Sequence, residues 1–123
     1  MRKSIALLVF VSLFIFSCQE ETTVCNIPEG SIPGWMSEII TELEPTAAYS
    51  YSYIVSGRYE GQEVFILKNC CPFCGSVYPV YTCDGASLGT LGNEVNANDI
   101  EDEKFFWAPE AVQCSNVDNA SLD

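Results

Sequence analysis

Cysteine is the residue type in this chain best suited to chemistry, and three cysteines fall within five positions at Cys70-Cys71-Pro72-Phe73-Cys74. A thiolate can act as a nucleophile or a soft metal ligand, and a pair of thiols can oxidise to a cross-link. Cys71-Pro72-Phe73-Cys74 has the C-x-x-C spacing used for thiol–disulfide exchange. There the first Cys sits at a helix N-terminus, whose dipole lowers its pKa. The residues that follow here, Gly75-Ser76-Val77-Tyr78-Pro79-Val80-Tyr81, are β-formers with a proline among them. No helix is expected after Cys71, so redox catalysis by Cys71 and Cys74 is the alternative reading and not the leading one. An all-thiolate metal site drawn from Cys70 or Cys71, Cys74, Cys83 and one more would need a reducing compartment, and the chain points to an oxidising one.

Histidine is absent from all 123 residues. That excludes Ser-His-Asp and Cys-His catalysis and every metal site that needs imidazole. Acid–base work would fall to carboxylates, Tyr, Lys or Cys. No catalytic constellation, metal site or cofactor is expected.

The compartment is read from the first residues. Arg2 and Lys3 precede an apolar run, Ile5 to Phe16, broken only by Ser12. Such a run suits a signal-peptide core and is short of the ~20 residues that span a bilayer. Ile15-Phe16-Ser17-Cys18 resembles the lipobox of bacterial lipoproteins, with a branched aliphatic at −3 and a small residue at −1. The resemblance implies cleavage before Cys18, a lipid on its sulfur and a membrane as partner. Seven cysteines support it, because setting Cys18 aside leaves an even six: Cys25, Cys70, Cys71, Cys74, Cys83 and Cys114. Six allow about fifteen pairings. Cys25 with Cys114 is the expected tie between the ends of the domain, the other four pairing locally around the 70–83 turn.

The chain therefore divides into a lipoprotein signal peptide over 1–17, a lipidated Cys and acidic tether over 18–30, one domain over 31–116 and a polar tail over 117–123. Gln19-Glu20-Glu21-Thr22-Thr23 is similar to the export signal of surface lipoproteins of Bacteroidota, and Gln beside the lipidated Cys is unlike an inner-membrane retention signal. The expected location is the bacterial cell envelope, at the outer membrane, surface-exposed if the acidic run is an export signal and periplasmic or surface-facing if it is a plain spacer. Removing 1–17 leaves three basic residues against 17 acidic ones, a net charge of −14. So acidic a chain repels phosphate backbones, which excludes nucleic acid as a partner.

Elements that would position these residues follow from periodicity. Trp35, Ile39 and Leu43, with Met36 and Ile40 beside them, form one face of a helix over about 33–44. Ser31 is available to cap it and Pro45 ends it. Alternation of Tyr49, Tyr51, Tyr53 and Val55 with Ser50, Ser52 and Ile54 predicts a half-buried strand, and Gly57 to Gly61 a turn. Glu63 to Lys68 is apolar on both faces, as a central strand would be. Val77 to Cys83 reads as a third strand, with Pro79 at an edge or bulge, and Asp84-Gly85 turns into a short strand near 87–91. From Asn93 to Glu103 the carboxylate-rich run reads as a solvated loop. It lacks the glycine and terminal Glu of a calcium loop. Phe105-Phe106-Trp107 then docks the end of the chain on the core. The fold class is α+β: one short amphipathic helix on an antiparallel β-meander of three to five strands, disulfide-stapled.

Tyr51-Ser52-Tyr53, Gly61-Gln62-Glu63-Val64-Phe65, Cys70-Cys71 and Tyr81-Thr82-Cys83-Asp84-Gly85, after a Trp-bearing helix, resemble small lipoproteins of Bacteroidota that carry a domain of unknown function. The resemblance covers about Pro33 to Gly92 and implies no activity. Cys71-Pro72-Phe73-Cys74 by itself is similar to the active-site motif of glutaredoxins. The leading expectation is a non-enzymatic binding or structural module of the cell envelope, its protein or small-molecule ligand unspecified. The alternatives are a thiol–disulfide oxidoreductase using Cys71 and Cys74, and an inhibitor of an extracellular enzyme that presents the 70–83 turn.

Overall fold

A computed structural model describes residues 24–115 apart from 73 and 76. The expected signal peptide over 1–17, the expected lipidation site Cys18 and the expected polar tail over 117–123 lie outside the described residues. Among the described residues no helix is long and apolar enough to cross a membrane.

The helical period forms α1 over Gly34–Leu43, with Met36 and Ile40 buried. Ser31 does not cap it. Pro33 holds the N-cap position with no side-chain cap, and its carbonyl accepts from the Met36 and Ser37 N–H groups at 3.0 Å. The pyrrolidine ring fixes the entry angle that a hydroxyl would otherwise stabilise. Tyr49–Tyr51 is a 3-10 turn and not the start of a strand. Strand β1 spans Ser52–Tyr59 and β2 spans Gln62–Asn69. Glu60 and Gly61 join them, both at positive φ, the pair of conformations a two-residue hairpin favours.

Three further strands complete the sheet: β3 Pro79–Tyr81, β4 Ser87–Thr90 and β5 Glu101–Trp107. Their order is β4-β3-β2-β1-β5, antiparallel throughout. The class is α+β, and β2 is central as its unbroken apolar run requires. Pro79 opens an interior strand, not an edge one, and a register shift follows it between Val80 and Tyr81. As the first strand residue, proline withholds little from the ladder.

Strand β5 is the main departure from the sequence pattern. The end of the carboxylate run is not a loop but an edge strand, its first four residues exposed. Charges there hide the strand signal, and an edge strand tolerates them. Val95 and Ile100 pack on the core, with Val95 1% exposed, so the preceding segment is anchored as well. Gly57 belongs to β1 and is buried, not part of a turn. A Cβ on it would stand 2.8 Å from Ile100 Cγ2 and 3.3 Å from the Glu101 carbonyl oxygen. Glycine here lets β5 approach.

Because side chains alternate across a sheet, β1 and β2 feed two cores. Ile54, Phe65, Met36 and Ile40 form the helix-side cluster, with Trp35, Leu67, Phe106 and Trp107 against it. Val55, Val64, Ile66, Val80 and Val95 form the other, closed by Leu88, Leu91 and Ile100. The 3-10 turn at Ala97–Asp99 leads into β5.

Two side chains finish the exposed β3–β4 end. Gly85, at φ 85°, lies under Trp35, so that a Cβ would stand 2.5 Å from the indole. We expect Gly85→Ala to cost about 2 kcal/mol from the left-handed backbone alone, lowering the midpoint of a thermal melt followed by near-ultraviolet circular dichroism by about 10 °C. Glu94 accepts from the Thr90 N–H and hydroxyl at 2.9 and 3.2 Å, and the N–H bond chiefly holds its carboxyl below the ordinary value. A lowered native pKa stabilises above the unfolded value of 4.5 and is lost as pH falls through the native one. Glu94→Gln should therefore flatten the acid limb of stability against pH, measured by denaturant melts, and leave the alkaline limb unchanged.

Candidate functional site

All six body cysteines are paired. Cys25 bonds Cys83, Cys70 bonds Cys114 and Cys71 bonds Cys74, with Cα separations of 5.4, 5.8 and 5.3 Å. The expected Cys25–Cys114 tie does not form, and β2 shows why. Cys83 lies beside Glu63, its Sγ 3.9 Å from the Glu63 carbonyl oxygen, at the start of β2. Cys70 follows its last residue and holds Cys114 there. At the ~3.3 Å rise of a strand those poles are about 23 Å apart, whereas bonded cysteines need Cα atoms within about 7 Å.

Cys71 and Cys74 are half-buried and bonded to each other in the loop between β2 and β3. The described residues of that loop form no helix, and every strand pairing is antiparallel. The helix dipole that makes the first Cys of a redox C-x-x-C nucleophilic is therefore not supplied after Cys71. Cys70–Cys114 braces the same loop from behind, Cys114 being 1% exposed. Among the described residues no three Cys, Asp or Glu side chains are grouped to hold a metal ion, in the 93–103 run or elsewhere.

The aromatic residues near α1 fill space. Trp35 lies 5.3 Å from Tyr81 and 5.9 Å from Phe65, and Phe65 lies 4.9 Å edge-on from Phe106. Trp35 Nε1 donates to the Cys83 carbonyl at 2.9 Å, tying α1 to the tip of the β3–β4 hairpin. Burial, and then Glu42, push the Tyr81 phenol above its ordinary value. It stays protonated and is poorly placed to act as a base.

A second place gathers polar groups, and no sequence motif marks it. Ser56 pairs with Lys104 across β1–β5, and Arg58 pairs with Glu63 across β1–β2. Partners in register, and residues two apart on a strand, project to one face. That face is the helix-side one, at the hairpin end, where Val24 and Cys25 lie against it. Val24, Ser56, Gly57, Arg58, Glu63, Asp102 and Lys104 line a cleft of about 240 Å³. Arg58 Nη2 donates to Asp102 Oδ2 at 2.7 Å, and Glu63 Oε2 accepts from the Cys25 N–H at 2.8 Å. Asp102 reaches Arg58 from a left-handed backbone, φ 52°, where the β1–β5 register shifts. The sequence holds one clue to this cleft: Arg58 and Lys104 are two of only three basic residues beyond position 17.

The tether expected over 18–30 ends sooner. Cys25 is already bonded to Cys83 and Ile27 packs on the helix-side core, so the body begins at Cys25. No protein-family model, curated protein or solved structure matches the chain.

Proteolytic mapping without reduction should recover the pairs 25–83, 70–114 and 71–74. Replacing both Cys25 and Cys83 by Ser frees a loop whose closure contributes about 4 kcal/mol in the chain-entropy model, against about 2 kcal/mol for Cys71 and Cys74. Denaturant melts should rank the two double variants in that order.

Proposed function

We propose that the chain is a lipid-anchored module of a bacterial cell envelope, held to a membrane through Cys18, which serves by binding or as structure and not by catalysis. One observation carries most of the reading: the six body cysteines close into three bonds, the state an oxidising exterior produces. The one cysteine left over lies in the Ile15-Phe16-Ser17-Cys18 run that resembles a lipobox. The resemblance of 33–92 to small lipoproteins of Bacteroidota supports the same envelope location, and the Gln19-Glu20-Glu21-Thr22-Thr23 run supports the outer membrane and surface.

The body is laid out as a tethered module would be. The chain enters at Val24, and Cys25 is fixed to the sheet at once by its bond to Cys83 and its N–H to Glu63. The described residues of the cross-linked 70–78 loop stand at the opposite pole of β2, away from Val24. There Val77 is 60% exposed. An inhibitor of an extracellular enzyme would use that pole. A binding role has the cleft beside Arg58 and Lys104, and thiol–disulfide exchange lacks a helix behind Cys71.

The anchor is tested by Cys18→Ala in a cell that processes lipoproteins. The variant should accumulate unprocessed or leave the membrane fraction, and labelled fatty acid should mark the parent chain only. Equal membrane retention and no label on the parent would refute the anchor.

A further inference from the structure

We propose that the cleft between Val24 and the β1–β2 hairpin is a binding site for a free α-amino acid in its zwitterionic form. The proposal deepens the reading of the body as a binding module and does not depend on the anchor. The cleft is unusual for this molecule. Beyond position 17 the chain has 17 acidic residues and three basic ones, yet Arg58 and Lys104 meet here opposite Glu63 and Asp102. Two cations and two anions make a lining of no net charge on a strongly acidic body. A ligand complementary to it is itself neutral overall and carries both signs.

Donors and acceptors divide the same way. Among the described residues the Lys104 ammonium and the Ser56 hydroxyl have no hydrogen-bond or ion-pair partner, and Arg58 commits only Nη2, to Asp102. A guanidinium has five N–H donors in a planar fork that suits a carboxylate. Ser56 and Lys104 face each other across β1–β5 with Arg58 two residues along, so a carboxylate can accept from all three. Glu63 commits one oxygen to the Cys25 N–H and Asp102 one to Arg58. Each carboxylate keeps a second oxygen for an ammonium group. Val24, 64% exposed, is an apolar wall for a side chain. At about 240 Å³ the cleft is below the ~300–1,000 Å³ range of drug-sized sites, which fits a ligand of amino-acid size. A dianion is disfavoured by the acidic body, and a plain cation by Arg58 and Lys104.

The test uses the full chain in detergent micelles, titrated with L-leucine, N-acetyl-L-leucine and L-leucine methyl ester while backbone amide shifts are followed by NMR. L-Leucine should give saturable shifts at Ser56, Gly57 and Arg58. The acetylated form lacks the ammonium and the ester lacks the carboxylate, so each should bind at least about tenfold more weakly, the loss of one charge-assisted contact. Lys104→Gln should weaken L-leucine by about tenfold. Lys68→Gln, outside the cleft and paired with Glu103, should not. Equal binding of N-acetyl-L-leucine would replace the zwitterion with a simple carboxylate and overturn the proposal. So would absence of saturable shifts at residues 56–58, or an unaltered affinity in Lys104→Gln. A Cys18→Ala chain that leaves the membrane-free fraction unchanged refutes the anchor and not the cleft, so the two failures are distinguishable.

Discussion

Burial of β2 on both faces is the constraint from which the rest of this structure follows. Val64, Phe65 and Ile66 are each 0% exposed, so adjacent residues on one strand need cover on opposite sides. Helix α1 covers Phe65, and the segment from Leu88 to Ile100 covers Val64 and Ile66. A body of this size buries only about 60–68% of its unfolded surface, which leaves a narrow margin for two thin cores. The long-range disulfides fall at the two ends of β2. Cys25–Cys83 closes the start of β2 and Cys70–Cys114 its end, over sequence separations of 58 and 44. Each removes about 4 kcal/mol of unfolded-state freedom in the chain-entropy model. Neither covers the apolar faces, but both hold the covering segments in place.

A five-stranded open sheet also has two edges to protect, and each is closed by a different device. On β4 the Glu94 carboxylate takes the Thr90 N–H, occupying a donor that a foreign strand would seek. On β5 the charged run Glu101 to Lys104 and two register shifts against β1 spoil a regular template. The acidic residues Glu101 to Glu103 are thus accounted for by their place on the edge. The bulge that bends β5 also swings Asp102 onto Arg58, so protection of the edge and the lining of the cleft share a backbone feature.

What could be read from the sequence was whatever depends on local periodicity. The stripe of α1, the doubly apolar β2 and the Asp84-Gly85 turn all appear at or near their expected places, because one face or two faces of burial leave a direct mark on residue order. Strand β5 left no such mark, since its exposed half needs no apolar residue. Cysteine pairing left none either, because it depends on which pole of β2 each residue reaches. The cleft combines Ser56 and Arg58 with Lys104 through a β1–β5 ladder that joins residues more than forty positions apart, and only the fold supplies that ladder. The scarcity of basic residues was the sole trace of it in composition.

The short Cys71–Cys74 bond is hard to explain by stability alone. It closes a separation of 3, so its entropic contribution is the smallest of the three, and Cys70–Cys114 already fixes the adjacent residue to the core. A C-x-x-C with no helix behind it also lacks the field that would make it a good nucleophile. Shape is what remains: two neighbouring cysteines, bonded in different directions, force the chain to leave β2 along one path. On the binding reading, this gives the pole opposite Val24 a constrained outline at little cost in sequence, while the cleft beside Val24 supplies the polar groups. On that reading, a body cross-linked at one pole and polar at the other can hold a small ligand in the cleft and leave the disulfide-braced pole for a larger partner.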